Sequence, residues 1–424
     1  MKIDRGLLAT LALAALSAAC ASAGGTGGTG GGGGGPRITV PAPDVVCSTG
    51  RLAATPVADS AAGTLALMGA MADSLQQAQY LVARQQAGRA IAADPGNAYG
   101  YYLAGQAAVG VADYADADSL LRRSVELCPE LGAYDVDRLR RGAAALSVER
   151  GSGLVQSADT TGGLAAYTTA LSLDPTNYPA EFYLGLVAFQ RQQTDDAVRH
   201  WQRVVQIIDE LPVDTSVEVM QGRMETRGNT LNALVLASAQ HLNRQQSPAA
   251  ATLLAQLTQL LPNNPEAWYN YALALNNLQR WQDLLPVARR ATEIAPLSYG
   301  SWILYYNAYA GQSQAATQAG NTAQAGELGR QARQISQQSE TLPVQLEGIT
   351  IDVEAENTQV RGTAVGTGPT APVTVEFTLH GADGPLGTGT VTVTPPARDQ
   401  QSRFELTIPN SAPVLGVTYR VVGG

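Results

Sequence analysis

Lysine is all but missing from this chain. Of its 27 basic side chains only Lys2 is a lysine, and the remainder are arginines. Beyond residue 2 this excludes a Schiff-base lysine, a P-loop lysine and a kinase-type lysine contact to phosphate. Histidine is nearly as scarce. His200, His241 and His380 lie in distant regions, none at ligand spacing from another His or a Cys, so no metal site is expected. Charge is sparse and acidic, with 15% charged residues, a net charge of −9 and a pI of about 4.9. Without a basic stripe, this balance repels a phosphate backbone and argues against nucleic acid as a partner. The G-x-S-x-G, P-loop and H-E-x-x-H patterns are absent. The adjacent carboxylates Asp195-Asp196 and Asp209-Glu210 do not face one another on a helix, so they read as solvated. No catalytic residue and no cofactor is expected, and the chain reads as a non-enzyme.

The amino terminus has a basic start, Lys2 and Arg5, and then an unbroken run of apolar and small residues from Leu7 to Ala19. That run is short of the roughly 20 residues a membrane-spanning helix needs, and it reads as a secretory signal. Leu16-Ser17-Ala18-Ala19-Cys20 resembles a bacterial lipobox, with Ser17 where the leucine usually stands and Leu16 one place earlier. The resemblance implies a signal peptide over residues 1–19, cleavage before Cys20, and lipidation of Cys20, which would tie the mature chain to a lipid bilayer. Ala21 after the cysteine resembles proteins sent on to the outer membrane, facing the periplasm of the bacterial envelope. The other reading is ordinary cleavage after Ala23, at Ala21-Ser22-Ala23.

Residues 20–63 read as a linker. Gly24 to Gly35 contains only Gly and Thr, a flexible spacer with a span of about 19–21 Å, and Pro36 to Pro43 adds a stiffer stretch. Cys47 and Cys128 form an even pair in a compartment that permits disulfides. Either they bridge, or they are two buried thiols acting as small hydrophobes.

The body repeats. From Pro265 to Pro296, Trp268, Tyr271, Ala272 and Leu275 share one face of a first helix, and Leu284, Ala288 and Ala291 mark a second. The same register runs through Tyr101, Ala104, Gly105, Ala108, Ala117, Leu121 and Pro129. It runs again through Ser147, Gly151, Leu154, Gly163, Tyr167 and Pro175, and through Leu184, Gly185, Ala188, Ala197 and Trp201. Further copies read Leu67, Ala70, Met71, Ala83, Ala87 and Pro95, and Leu234, Ala237, Ser238, His241, Ala250, Leu254 and Pro262. Trp302, Tyr305, Tyr306 and Tyr309 open a last copy that loses register over 312–338. The interval from Pro95 to Pro129 equals that from Pro262 to Pro296. The pattern and its period resemble the tetratricopeptide repeat (TPR) of bacterial envelope lipoproteins, and imply a solenoid of about seven helix pairs over residues 64–340. Residues 209–226 read as an insertion. The alternative is a generic all-helical bundle.

After Thr341, Val, Thr, Gly and Pro replace the helix formers. Strands are expected at Val344–Val353, Gln359–Val365, Val373–His380, Gly389–Thr394, Phe404–Ile408 and Val417–Val422, with a hairpin turn at residues 381–384. Residues 341–424 therefore read as a small all-β sandwich. Phe377-Thr378-Leu379, the turn and Gly387 resemble the FxLYD-type immunoglobulin-like domain, with His380-Gly381 in place of its Tyr-Asp.

Projecting the repeat register onto the first helices places Met68, Tyr102, Gln106, Phe182, Phe189, Tyr269, Leu273, Asn276, Asn277 and Asn307 along a concave face. This lining suits a partner segment held by apolar contacts, with amides bonding its backbone. The implied role is a protein–protein interaction scaffold binding envelope proteins. Two alternatives stay open. Part of the stripe is covered by residues 44–63 or by the sandwich, or the sandwich itself binds a glycan or the cell wall.

Overall fold

The computed structural model describes residues 45–48, 61, 73–354, 356–410 and 412–422. The signal, Cys20, the glycine spacer and Met68 lie outside the described residues. The chain divides into two compact units between Gly222 and Arg223.

The first unit holds α1 (Asp73–Ala93), α2 (Ala98–Gly110), α3 (Tyr114–Leu127), α4 (Asp137–Gln156), α5 (Thr160–Leu173), α6 (Tyr178–Gln190) and α7 (Thr194–Glu210), with a π-helical turn at Gly132–Val136. Helix α8 (Val217–Asn243) spans the division. The second unit continues with α9 (Ser247–Leu260), α10 (Pro265–Asn277), α11 (Trp281–Ile294), α12 (Tyr299–Gln318) and α13 (Thr322–Glu340). These are the TPR-like antiparallel helix pairs that the repeat register implies. Six pairs, α2/α3 to α12/α13, stand among the described residues, preceded by α1. The first helix expected before α1 falls largely outside the described residues.

Each pair is punctuated in the same way. Asn97, Asp113, Asp159, Asn177, Asn264 and Asn321 cap helix starts, each side chain accepting from a backbone N–H two or three residues on. The turn inside a pair has one residue in the left-handed region: Ala112, Ala158, Gln192, Gln245, Gln279 and Gly320, with φ between 56° and 76°. The next N–H then reaches five residues back to a helix carbonyl, as Asp113 does to Ala108, Gln193 to Ala188 and Arg280 to Leu275. This is a Schellman closure, and it satisfies carbonyls that the helix end leaves open.

The first helices of the six pairs have 13, 20, 13, 27, 13 and 20 residues. The excess is always seven or fourteen. Seven residues make about two turns, so the added length returns the seam to the same side. This explains how α12 stays paired with α13 beyond the point where the sequence register is lost. It also revises the expected insertion: residues 217–226 lengthen α8, and only Leu211 to Ser216 lies between α7 and α8.

Small residues let paired helices approach. A Cβ built on Gly151 would stand 2.7 Å from the Tyr167 ring, and one on Gly185 would stand 2.5 Å from Trp201. Trp201 is fully buried there and donates its indole N–H to the Phe182 carbonyl at 3.2 Å.

In the second unit the helices are followed by six strands: β1 (Gln345–Val353), β2 (Asn357–Val365), β3 (Val373–His380), β4 (Pro385–Val393), β5 (Gln401–Pro409) and β6 (Gly416–Val421). They form two antiparallel three-stranded sheets, β1-β2-β5 and β4-β3-β6, a sandwich-like arrangement. The β3–β4 hairpin turns through 381–384, with Gly384 at φ 133°. Strand β4 starts four residues before the expected Gly389. Along β3 each second residue is buried, and Phe377 meets Phe404 and Tyr419 with ring centroids 5.7 and 5.3 Å apart.

This apolar core does not stop at the sheets. It includes Ile294, Ala295 and Leu297, and Trp268 and Trp302 pack against it. Polar bonds run alongside. Leu346 N–H donates to the Leu297 carbonyl at 2.9 Å, Asn264 Nδ2 donates to the Leu415 carbonyl at 3.0 Å, and Asn263 pairs with His380 at 3.1 Å. Residue 341 thus marks the change from helix to strand, while the sheets and the helix ends around residues 263–302 share one interior.

Candidate protein-binding faces

The first-helix positions behave differently in the two units. In the first unit they are buried. Tyr102 and Gln106 have no exposed surface, Phe182 is 1% exposed and Phe189 4%. The expectation that these four line an open face is therefore corrected. Tyr102 donates its phenol to Asp135 at 2.6 Å, a carboxylate also held by Arg138 at 2.8 Å. Its ring stacks on Tyr99, with centroids 6.5 Å apart. Phe182 meets Tyr183 edge-on at 5.8 Å, and Phe189 lies 5.5 Å from Trp201.

Val45 and Cys47 pack against the cluster that holds Tyr99, Tyr102, Leu103 and Leu131, and Ala61 is buried within it. Cys47 is disulfide-bonded to Cys128, with Cα atoms 4.9 Å apart. Ser48 N–H donates to Glu130 at 3.1 Å, and this bond holds the Glu130 carboxyl below its ordinary range.

In the second unit the corresponding positions keep surface. Tyr269, Leu273, Asn276 and Asn307 are half-buried and Asn277 is exposed. Asn307 Nδ2 donates to Asn276 Oδ1 at 3.0 Å, joining α12 to α10, and Asn277 donates to Ser247 on α9 at 3.3 Å. Tyr269 leans over Gly300, where an added Cβ would come within 3.0 Å of its ring. Burial raises the Tyr269 phenol above its ordinary value, so it stays a neutral donor at physiological pH. Sequence reasoning missed Ile303, also half-buried, which stands one repeat after Tyr269 as Asn307 does after Leu273. The same repeat offset that relates Asn307 to Leu273 would have found it.

Among the described residues each histidine is held by local partners: His200 by Glu181 at 2.6 Å, His241 by Gln246 at 2.9 Å, and His380 by Asn263 and, at 2.8 Å, Thr418. Burial, and then Arg290, lower the His380 pKa below its ordinary value. The one described group of three potential metal ligands is Cys47, Cys128 and Glu130, and its two sulfurs are bonded to each other. A depression of about 530 Å³ in the first unit is lined by Tyr101, Asp118, Arg122, Arg123 and Glu126. Its floor is an ion network, with Asp118 accepting from Arg122 at 2.9 Å, Arg140 at 2.8 Å and Ser172 at 2.6 Å. The aromatic side chains that a glycan-binding sandwich would present, Phe377, Phe404 and Tyr419, are buried in the shared core. No helix among the described residues is long and apolar enough to cross a membrane.

A family model described as tetratricopeptide repeat matches residues 148–212 and 240–299. No curated protein matches the chain. Among solved structures, similarity is found to YrrB, described as a TPR protein with an unusual peptide-binding site, at 18% identity and a TM-score of 0.28 over 45% of this chain and 85% of that one. MamA from Desulfovibrio magneticus RS-1 is similar at 12% identity and a TM-score of 0.27, over 46% and 95% of the two chains. The TPR domain of P58(IPK) is similar at 11% identity and a TM-score of 0.20, over 66% and 99%. Over residues 148–212 and 240–299 the family match and the helix pairs agree on tetratricopeptide repeats; TPR-like helix pairs extend on either side, and a small pair of antiparallel sheets follows.

Proposed function

We propose that this chain is a non-catalytic scaffold, tethered to the bacterial envelope through lipidated Cys20, that binds an extended segment of another envelope protein on the first-helix face of its last repeats. One observation carries the reading. Tyr269, Leu273, Asn276 and Asn307 keep surface in the second unit, whereas their counterparts in the first unit are buried. Tyr269, Leu273 and Ile303 would take apolar side chains of the partner. The amides of Asn276, Asn277 and Asn307 would bond its backbone, each having donors and acceptors beyond the single bond given above. FxLYD-like features at Phe377-Thr378-Leu379 fit an envelope setting, and the sheets act as a brace for the helix ends rather than as the binding element.

The test is crosslinking and recovery of partners from intact envelopes. A Tyr269→Ala, Asn276→Ala, Asn307→Ala triple variant should recover them at least about fivefold less well, a loss of roughly 1 kcal/mol or more, with unchanged circular dichroism. Undiminished recovery from a folded variant removes the face. For the tether, Cys20→Ser should release the protein from membrane fractions, and retention there would overturn the lipid anchor.

A further inference from the structure

His380 ends β3 with both ring nitrogens engaged. Asn263, in the turn before α10, faces Nδ1 at 3.1 Å, and Thr418 of β6 faces Nε2 at 2.8 Å. Arg290 on α11 decides which atoms carry hydrogens. A guanidinium has only N–H donors, and its Nη2 reaches Asn263 Oδ1 at 3.2 Å and the Pro262 carbonyl at 3.3 Å. The Asn263 amide therefore turns its oxygen to Arg290 and its Nδ2–H to His380. Nδ1 must then accept, which leaves the ring proton on Nε2, donating to Thr418. This bonding is complete for a neutral imidazole. A second proton, on Nδ1, would point at a donor and find no acceptor.

The neighbouring backbone meets at the same place. Leu415 N–H donates to the His380 carbonyl at 2.8 Å, and Asn264 Nδ2 donates to the Leu415 carbonyl at 3.0 Å. A Cβ on Gly416 would stand 2.2 Å from the Asn263 carbonyl oxygen. Residues 415–416 are thus pinned between the end of β3 and the turn that starts α10. Arg290 is paired with Glu293 at 3.3 Å, and Glu376 of β3 with Arg420 of β6 at 2.7 Å. Asp383 stands exposed in the β3–β4 turn, and Glu266 in the first turn of α10. Of these charges only Arg290 acts on the ring: burial first, and then Arg290, lower the His380 pKa below its ordinary 6.5.

We infer that His380 is an acid-released clasp: while neutral it ties the end of β3 to the turn before α10 through Asn263, and protonation of Nδ1 breaks this tie and loosens residues 412–416 from the helix ends. The apolar core shared by sheets and helices does not titrate, so the release is local. The unfolded chain binds the proton more readily than the folded one. The contribution of the clasp is therefore present in full above pH 6.5 and is lost as pH falls through the lower folded value. The inference concerns the joint between sheet and helix and does not require the proposed binding face.

Hydrogen–deuterium exchange of the full chain, divided by the intrinsic rate at each pH, reads the clasp. Between pH 7.5 and pH 4.5, exchange over residues 412–418 should rise about threefold or more, while the β1–β2 hairpin should not change. His380→Gln offers an amide oxygen to Asn263 and an amide N–H to Thr418 at every pH, and should abolish the rise. Asn263→Asp gives the new proton an acceptor, and should abolish it as well. Either variant alone decides the matter if the other does not fold. Equal exchange of the native chain at the two pH values would overturn the inference. So would a rise as large as the native chain's in a folded variant, or an equal rise in the β1–β2 hairpin.

Discussion

The indole N–H of Trp302 donates to the carbonyl of Pro296 at 2.8 Å, and one repeat earlier Trp268 makes the same bond to Pro262 at 3.0 Å. The proline that ends one repeat is thereby tied to the first helix of the next, six residues on. Both rings also pack against the core shared with the sheets. Trp302→Phe keeps most of the apolar contact and drops the bond, and should cost about 1 kcal/mol. Trp302→Ala should cost about 3 kcal/mol by removing the ring as well. Urea denaturation monitored by circular dichroism measures both, and equal losses in the two variants would mean the bond, not the ring, dominates.

The pair-internal turns carry strain that can be removed. Ala158 and Gln279 hold positive φ, a region that costs a side chain-bearing residue about 1 kcal/mol or more. Glycine pays no such penalty but loses more freedom on folding. Ala158→Gly and Gln279→Gly should therefore each gain about 0.5–1 kcal/mol, while Gly320→Ala, at the equivalent turn, should lose about 1 kcal/mol. Thermal denaturation tests the signs, and a fall in stability for both glycine variants would contradict the strain.

These turns also show what the sequence could and could not disclose. Proline spacing and the small–large seam positions, such as Gly185 opposite Trp201, mark the repeat in the chain itself, because helix geometry forces them. The alternation of β3 is equally plain. The turns were silent, since five of the six place Ala or Gln where a left-handed residue invites glycine. The lining was legible only by position. The register that selects Tyr269 also selects Tyr102, but whether a position is open depends on what lies over it. Tyr102 is taken by Asp135, 33 residues away in the π-helical turn.

The seam at Gly185 gives a packing prediction. An added methyl would stand 2.5 Å from the Trp201 indole, closer than real Cβ contacts allow. Gly185→Ala should destabilise the first unit by about 1–3 kcal/mol through overpacking. Pairing it with Trp201→Leu should recover part of that loss if the clash is the cause, despite the cost of the smaller side chain. A strictly additive double variant would place the strain elsewhere.

Asp118 is one source of acid sensitivity in the first unit. Burial alone would push its carboxyl up, but hydrogen bonds from Arg122, Ser172 and Arg140 outweigh that and hold it below its ordinary 3.8. The bonded groups come from α3, α4 and α5, so the ionised carboxylate joins one repeat to the next. A lowered carboxyl pKa means that the unfolded chain binds the proton more readily. The stabilisation is therefore present in full above pH 3.8 and is lost as pH falls through the lower folded value. Asp118→Asn removes the charge and leaves two arginines facing an amide. It should cost about 2–3 kcal/mol at neutral pH, since Arg122 is half-exposed and can turn to water while Arg140 is less free to do so. The gap between variant and native chain should close as pH falls below 3.8. Urea midpoints taken between pH 7 and pH 3 would show it, and a gap that stays constant to the lowest pH would mean Asp118 contributes by shape and not by charge.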